Sequence, residues 1–208
     1  MPYFPFFINI KGKCCLVVGG GEVATRKVKA LIEFGPQIKV ISPEAKQYII
    51  ELSKEEKLNY IKRKYQEDDL EDVFIVIAAT NDKKINEKIY KQAIEKNIFV
   101  NVVDMPDMCN FYFPAIVRRD EMVVGISTSG SYPALAKKTR LKIDKMLDDK
   151  SFEYFNLLKE YRKKAINEIK NEDKRKTLLN DILDKLDHCD SSWDNIRNEI
   201  DNLFEVYK

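Results

Sequence analysis

Glycine and proline are scarce in this chain of 208 residues, with 7 of each, and neither sign of charge is in large excess. With 44% apolar residues, the composition excludes a fibrous or disordered protein and indicates a globular one. The 36 Lys and Arg residues against 34 Asp and Glu residues leave a net charge of +2. We therefore expect no binding to nucleic acid through bulk charge, although a local basic patch would not show in this balance.

Histidine is scarce, long apolar runs are absent, and the cysteines do not have the spacing of a metal-binding motif. His188 is the single histidine, and no two cysteines have the Cys-x-x-Cys spacing. We therefore expect no bound metal, no structural disulfide and a reducing, cytoplasmic location. The N-terminal MPYFPFFINI is apolar but short, lacks a basic leader and contains Pro2 and Pro5, so we expect neither a secretion signal nor a membrane span. The cysteines are Cys14, Cys15, Cys109 and Cys189.

Short apolar runs alternate with amphipathic segments of helical length up to about residue 127. Most of the runs are continuously apolar, which is typical of strands covered by helices on both faces of a sheet. The alternation predicts a parallel, right-handed α/β sheet. The predicted strands are 13–19, 38–42, 58–63, 73–79, 98–103 and 121–127, and the predicted helices are 22–34, 44–55 and 82–97.

The pattern changes after Pro133. Residues 134–148 have helical periodicity, and the chain beyond Lys150 contains no glycine, no proline and no strand-like run. This predicts a small C-terminal module of two to four helices. The apolar positions at helical spacing are Leu157, Leu158, Tyr161, Ala165, Ile166, Ile169, Leu178, Leu179, Ile182, Leu183, Leu186, Trp193, Ile196, Ile200, Leu203 and Phe204.

The stretch KCCLVVGGGEVATRK at residues 13–27 joins a predicted strand to a predicted helix through three glycines. Gly19, Gly21 and Ala24 match the pattern G-x-G-x-x-A. In that pattern the first glycine permits a tight turn, the second lets the backbone approach a pyrophosphate, and the alanine brings the helix close to the sheet. The context favours dinucleotide binding in a Rossmann-type sheet. The alternative is a tight turn into a helix that binds nothing.

The same pattern expects an acidic residue near the end of the second strand, and Glu44 is available there after Pro43. An alternative of equal weight makes Ser42 a helix cap and Pro43 the first helical residue. No arginine follows the strand to hold a 2′-phosphate, which favours NAD, while Lys46 leaves NADP open.

Two later loops follow predicted strands, AATND at 78–82 and NVVDMPDMCNFYFPAI at 101–116. Ligands of open α/β sheets bind beyond the carboxyl ends of the strands, so we expect Thr80 and Asn81 to contact the cofactor. Asn101 and Asp104 should line the same crevice, with Asn101 as a contact of the substrate. Asp104 precedes Met105-Pro106, and it is either a general base or an aspartate that caps a turn.

Four stretches resemble the precorrin-2 dehydrogenases, which also form the N-terminal half of siroheme synthases. These stretches cover the larger part of the chain in the family's order. They are PFFINIKGKCCLVVGGGEVATRK, AATND with Asn86 beyond it, NVVDMPDMCNFYFPAI and ISTSGSYPALAKKTR.

The resemblance implies oxidation of precorrin-2 to sirohydrochlorin by NAD, with Asp104 at the catalytic position. It implies that Glu22, Val23, Pro43 and Glu44 contact NAD. It also implies a homodimer, so we divide the chain into an NAD-binding domain at 1–112, a dimerisation and substrate region at 113–149 and a helical domain at 150–208.

Precorrin-2 carries many carboxylates, so its site needs hydrogen-bond donors and basic groups. We expect the turn formed by Ser127, Thr128, Ser129 and Gly130 to supply hydroxyl and N–H donors, and its alternative role is a helix cap. Basic candidates, each equally compatible with a solvated surface, are Arg118, Arg119, Lys137, Lys138 and Arg140.

One departure from the family pattern and two rival functions stay open. Tyr132 replaces the serine that usually precedes Pro133, and we assign it no role. Some family members also insert ferrous iron, which would make iron a co-substrate here. The other rival is a non-catalytic module that senses NAD, but such a module would need neither Asp104 nor the polar turn.

Overall fold

A computed structural model describes residues 3–147, 149–187 and 193–208, so His188 and Cys189 lie outside the described residues. The strands β1, β2, β3, β4 and β5 form one sheet in the spatial order β3-β2-β1-β4-β5, with every pairing parallel. The chain winds outward from β1 to β3, then crosses back to β4, which places a topological switch point between β1 and β4. This confirms the predicted Rossmann-type sheet. The strands are β1 (Cys14–Val18), β2 (Gln37–Ile41), β3 (Asn59–Ile61), β4 (Ile75–Ala78) and β5 (Phe99–Val102).

Three helices cover the two faces of this sheet: α1 (Glu22–Ile32), α2 (Gln47–Lys54) and α3 (Lys83–Glu95). Successive strand residues point to opposite faces. Cys15 and Val17 of β1 therefore pack in the α1 and α2 core, and Leu16 and Val18 pack in the α3 core. Both cores are apolar, which is why the central strands appear as uninterrupted apolar runs in the sequence.

The predicted strand at 121–127 is a strand, but its assignment to the parallel sheet is wrong. It forms β7 (Met122–Ile126), which pairs antiparallel with β6 (Ala115–Arg119), a strand that sequence reasoning missed. Only Asp120 and Glu121 join the two strands, and Asp120 has a φ of 52°. A connection this short allows a hairpin but not a parallel crossover.

Helix α4 (Pro133–Met146) packs against β6 and β7, and Arg119 of β6 donates to the Asp144 carboxylate at 2.6 Å. Three further helices follow, as predicted: α5 (Asp149–Glu168), α6 (Glu172–Asp187) and α7 (Trp193–Tyr207). Of the apolar positions at helical spacing, Ile166 and Leu183 are exposed, and the Trp193 side chain lies outside the described residues. The buried core residues are Leu157, Tyr161, Ala165, Ile169, Leu178, Ile182, Leu186, Ile196, Ile200 and Phe204.

The chain divides into two compact units. One comprises Ser127–Tyr132 and the described residues up to Pro114, and the other comprises Ala115–Ile126 and the described residues from Pro133 onward. Across all described residues, none of the helices is both long enough and apolar enough to cross a membrane.

A buried ion pair fixes the chain where it leaves β3. The Asp69 carboxylate is 3% exposed and accepts two hydrogen bonds from Arg63, at 2.6 and 2.7 Å, and one from the Gln66 amide at 2.8 Å. Burial by itself raises the pKa of Asp69, but these hydrogen bonds and the charges of Arg63 and Lys39 outweigh it, so the pKa lies below its usual value. Arg63 also donates to the Lys64 carbonyl at 3.0 Å, and the neighbouring Tyr65 hydroxyl donates to Gln92 of α3 at 2.7 Å.

We expect Asp69→Asn to lower the free energy of unfolding by about 2 kcal/mol at neutral pH, because a charged acceptor for three donors is lost. Because the folded pKa is lowered, this stabilisation is complete above the usual carboxyl pKa of about 4 and is lost as pH falls through the folded value. Urea unfolding at a series of pH values measures the difference from wild type, which should close in acid. Asp68→Asn, at an exposed neighbour, is the control, and a difference that persists in acid would contradict the ion-pair origin.

Candidate cofactor site

A cleft of about 560 Å³ lies at the carboxyl ends of β1, β2 and β4. This is the switch point of the sheet, where open α/β folds bind their ligands. The predicted cofactor contacts all line it, except Glu22 and Val23, which occupy the adjoining first turn of α1. The cleft is lined by Val18, Gly19, Gly20, Gly21, Ile41, Ser42, Pro43, Glu44, Ala45, Lys46, Lys64, Tyr65, Ala79, Thr80, Asn81, Asp82 and Ile85.

Gly19 and Gly20 pack the floor of the cleft against neighbouring loops. Gly19 has a φ of 120°, and a Cβ on it would overlap the Ala79 carbonyl group, lying 2.7 Å from the carbonyl carbon. A Cβ on Gly20 would overlap the Glu44 carbonyl oxygen and lie 2.7 Å from the Ala45 Cα. The φ of Gly19 fits the tight turn predicted there. Gly20 must also be a glycine because of these contacts, although the pattern G-x-G-x-x-A allows any residue at its position.

Gly21 differs from its two neighbours, because a Cβ on it would meet no protein atom within 4 Å. It is the N-cap of α1, with a φ of −78°, and it offers no side-chain cap to the first-turn N–H groups. The Gly21 carbonyl is occupied, accepting from both the Thr25 amide and the Thr25 hydroxyl. Free N–H groups at a positive helix end, beside space that a side chain would fill, fit the pyrophosphate of a dinucleotide.

The interpretation of Ser42 as a helix cap and Pro43 as a first helical residue is wrong. Helix α2 begins at Gln47, with Lys46 as its N-cap, so 42–46 is a loop that lines the cleft. The Lys46 amide donates to the Gly20 carbonyl at 2.9 Å, and that bond seats the loop on the glycine turn. Glu44 is thereby left in the cleft lining.

Lys46 and Glu22 form an ion pair at the rim of the cleft, with 2.8 Å between the Nζ and Oε1 atoms. The hydrogen bond and charge of Lys46 lower the pKa of Glu22, which therefore stays ionised at neutral pH. In the sequence, Lys46 was the residue that kept binding of NADP possible. In the structure its ammonium has an acidic partner, Glu22, in the first turn of α1.

Asn86 of α3 holds the loop between β4 and α3 from beneath. Its side chain is 4% exposed, donates from Nδ2 to the Thr80 carbonyl at 3.0 Å and accepts from the Thr80 hydroxyl at 2.7 Å. Asp82 caps α3 by accepting from the amides of Lys84 and Ile85. These bonds fix Thr80 at the wall of the cleft and leave the Asn81 side chain exposed there.

We expect Asn86→Ala to weaken dinucleotide binding about tenfold and to lower the free energy of unfolding by about 2 kcal/mol, because it removes the hydrogen bonds that the buried Asn86 side chain makes to the Thr80 carbonyl and hydroxyl. Isothermal titration and urea unfolding measure the two effects. Lys84→Ala, at an exposed position in the first turn of the same helix, is the matched control. Unchanged binding in Asn86→Ala would show that this loop does not contact the cofactor.

Asn101 and Asp104 lie outside the lining of the cleft, at the end of the neighbouring edge strand β5. Asn101 is 7% exposed, and its Nδ2 donates to the Phe111 carbonyl at 3.1 Å, so its amide group is engaged within the loop. Asp104 is exposed with a φ of 59°. Its carboxylate makes no hydrogen bond or ion pair with any other residue that the structure describes.

The polar turn before α4 uses its hydroxyls on its own backbone. Ser127 accepts from the Ser129 amide at 3.0 Å, and the Thr128 hydroxyl accepts from the Tyr132 amide at 3.3 Å. Ser129 and Gly130 have φ values of 51° and 81°.

The candidate basic residues divide into engaged and exposed groups. Arg119 and Arg140 are both engaged with Asp144, while Lys137 and Lys138 are exposed. Arg118 donates to the Asp120 carbonyl. No group of three or more potential metal ligands occurs in the described part of the chain.

Sequence reasoning missed Gly20, Lys64 and Tyr65, and it named Asn86 only as part of the family resemblance, without a role. Gly20 had a visible signal, the uninterrupted glycine triplet. Lys64 and Tyr65 follow the shortest strand of the sheet, and the alternation in 58–63 gave no sign that the next residues turn back to the cleft.

The fold and the cleft define a dinucleotide-binding domain of the Rossmann class. Residues 6–115 match the family model NAD_binding_7, described as "Putative NAD(P)-binding". The chain belongs to this NAD(P)-binding family, and its cofactor class is a nicotinamide dinucleotide.

Two curated relatives and one solved structure are similar over much more of the chain. The siroheme synthase of Nitrosococcus oceani is 38% identical over 147 residues, covering 71% of this chain and 31% of the relative. That of Baumannia cicadellinicola is 42% identical over 147 residues, covering 71% and 32%. The chain thus spans about a third of the length of these relatives. The structure titled SirC, precorrin-2 dehydrogenase, has 27% identity and a TM-score of 0.80, and the match covers 96% of this chain and 100% of that one.

Proposed function

We propose that this protein oxidises precorrin-2 to sirohydrochlorin with NAD, as a dehydrogenase of siroheme synthesis. The observation that carries the proposal is the match to the precorrin-2 dehydrogenase structure, which extends over all of that chain and 96% of this one. The siroheme synthase relatives support the same pathway. The cleft supports a dinucleotide as the oxidant.

NAD rather than NADP fits the rim of the cleft. Glu44 lies where an acidic side chain accepts hydrogen bonds from the ribose hydroxyls, and its charge would repel a 2′-phosphate. Lys46 is the lysine of this loop, and its ammonium is already paired with the Glu22 carboxylate, which opposes a second role as partner of a 2′-phosphate. We therefore expect tighter binding of NAD than of NADP, and Glu44→Ala should reduce that preference.

The oxidation removes a hydride and a proton from the macrocycle. When bound, the nicotinamide ring supplies the hydride acceptor. The N-terminus of α1 and Gly21 hold the pyrophosphate, and Thr80 and Asn81 direct the dinucleotide toward the carboxyl end of β4. Asp104 follows β5, the strand next to β4, and its exposed carboxylate takes the proton as a general base.

The polycarboxylate substrate needs positive charge and donors around it. We assign this role to Asn101 and to the turn at Ser127–Gly130, whose hydroxyl and backbone N–H groups are hydrogen-bond donors for carboxylates. The proposal includes a homodimer formed through residues 113–149. Leu135 and Leu141 of α4 are exposed in this region, and a second copy of the chain could cover them.

Anaerobic turnover of precorrin-2 with NAD, without added iron, tests the proposal. We expect NADH and sirohydrochlorin to appear in equal amounts, and NADP to support slower turnover than NAD. Adding ferrous iron afterwards shows whether the product is also metallated. A protein that binds NAD but leaves precorrin-2 unchanged would refute the dehydrogenase and favour an NAD-sensing module.

A further inference from the structure

The backbone at Asp104 lies in the left-handed region, which aspartate tolerates better than most residues do. Asp104 has a φ of 59°, which costs most L-residues about 1 kcal/mol. Its own carboxylate does nothing to fix this turn, since it has no partner in the described part of the chain. A backbone hydrogen bond from the Met105 amide to the Val102 carbonyl, at 3.4 Å, closes the turn, and any side-chain contact that holds it comes from other residues.

The Cys109 thiol lies against both ends of that turn. Its Sγ is 3.3 Å from the Val102 amide nitrogen, 3.3 Å from the Val102 carbonyl oxygen and 3.5 Å from the Met105 carbonyl oxygen. Val102 is the last residue of β5, and Met105 immediately follows Asp104. One side chain thus bonds to the backbone just before and just after Asp104.

The state of the thiol suits this arrangement. Burial raises the pKa of Cys109, and this effect exceeds the lowering by the Val102 hydrogen bond and the Lys27 charge. The thiol is therefore protonated at neutral pH. It can donate its proton to a carbonyl while its sulfur accepts from the Val102 amide and from Asn101 Nδ2, which is 3.5 Å away.

Asn110, the next residue, anchors the loop to the edge of the sheet. Its Oδ1 accepts from the Val100 amide at 2.7 Å, and its Nδ2 donates to the Ile98 carbonyl at 3.0 Å. The ring of Phe111 then packs against that of Phe99 in β5, with 6.1 Å between centroids. Cys109 is therefore attached to a loop that cannot move without breaking bonds to β5.

We propose that Cys109 is a positioning residue for Asp104: its thiol holds the turn from Val102 to Met105 so that the Asp104 carboxylate stays aimed at the substrate. The proposal rests on the proposed function, in which Asp104 is the general base. A base displaced by about 1 Å loses much of its effect, so we expect Cys109→Ala to lower kcat roughly 10- to 100-fold. The KM for NAD should not change, because the cleft lies at other strands.

A double-mutant cycle between Cys109→Ala and Asp104→Asn tests the inference. A residue that acts only through Asp104 has no further effect once Asp104 is gone. We therefore expect kcat of the double variant to equal that of Asp104→Asn within about twofold. Cys14→Ala, at the partly buried cysteine of β1, is the matched control and should leave kcat unchanged.

Cys109→Ser provides a second route if the alanine variant does not fold. It keeps a donor and an acceptor, so its kcat should fall between those of wild type and Cys109→Ala. An equal loss of kcat in the presence and absence of Asp104 would overturn the positioning role while leaving the dehydrogenase intact. A wild-type kcat in Cys109→Ala would overturn it too. Failure of the proposed function is distinct, since the wild-type protein itself would then not turn over.

Discussion

Asp104→Asn is expected to abolish most of the turnover of precorrin-2 while leaving NAD affinity unchanged. Loss of a positioned general base costs about 10²- to 10⁴-fold in rate. The amide is nearly the same size as the carboxylate, and asparagine accepts the left-handed conformation that Asp104 adopts. The substitution therefore removes the base and little else. Anaerobic single-turnover assays measure the rate, and isothermal titration measures NAD binding.

Two control variants separate chemistry from structure at this position. Asp104→Gly removes the carboxylate but relieves the positive φ, so we expect turnover as low as in Asp104→Asn with no loss of thermal stability. Asp107→Asn changes another exposed aspartate of the same loop and should retain full activity. Full activity in Asp104→Asn would instead mean that Asp104 only forms the turn, and the base would have to be sought elsewhere.

Gly19→Ala and Gly21→Ala are expected to have opposite effects on stability and binding. At Gly19 the new Cβ meets the Ala79 carbonyl group at a φ of 120°, so the free energy of unfolding should fall by about 3 kcal/mol or more. At Gly21 the new Cβ meets no protein atom, so we expect a cost of at most about 1 kcal/mol for the changed N-cap. NAD affinity should nevertheless fall about 10- to 100-fold in Gly21→Ala, because the methyl group occupies the space of the pyrophosphate.

Thermal unfolding and NAD titration on both variants measure this contrast. Gly130→Ala is a useful control for strain without crowding, since Gly130 has a φ of 81° and open space around its Cα. Unaltered NAD affinity in a well-folded Gly21→Ala protein would show that no pyrophosphate lies over this glycine. Such a result would remove the main support for a dinucleotide in the cleft.

The strands, the glycine turn and the C-terminal helices could be predicted because each depends on the residues of one short stretch of sequence. Continuous apolar strands, the strand-glycine-helix junction at 13–27 and the periodic apolar residues beyond Lys150 each follow from a single physical requirement. The hairpin of β6 and β7 could not be placed in the same way. Its strands resemble those of the parallel sheet, and only the length of the connection distinguishes them.

The candidate site was predictable to a similar extent. Gly19, Gly21 and Thr80 follow from the rule that ligands bind at the carboxyl ends of parallel strands. The start of α2 could not be predicted, because Ser42-Pro43-Glu44 has the composition of a helix start, yet the packing of Gly20 against Glu44 and Ala45 keeps this segment extended into a loop. Tertiary contacts of this kind leave no mark in local sequence.

The Asn110 side chain has a consequence beyond the loop that it anchors. An edge strand normally presents a row of unpaired backbone groups that invites another chain to add a strand, and β5 is one edge of this sheet. Asn110 occupies two of those groups, at Val100 and Ile98, much as a sixth strand would. The opposite edge, β3, has only 3 residues. Both borders of the sheet thus offer little template for intermolecular strand pairing, which protects the protein from edge-to-edge aggregation at high concentration.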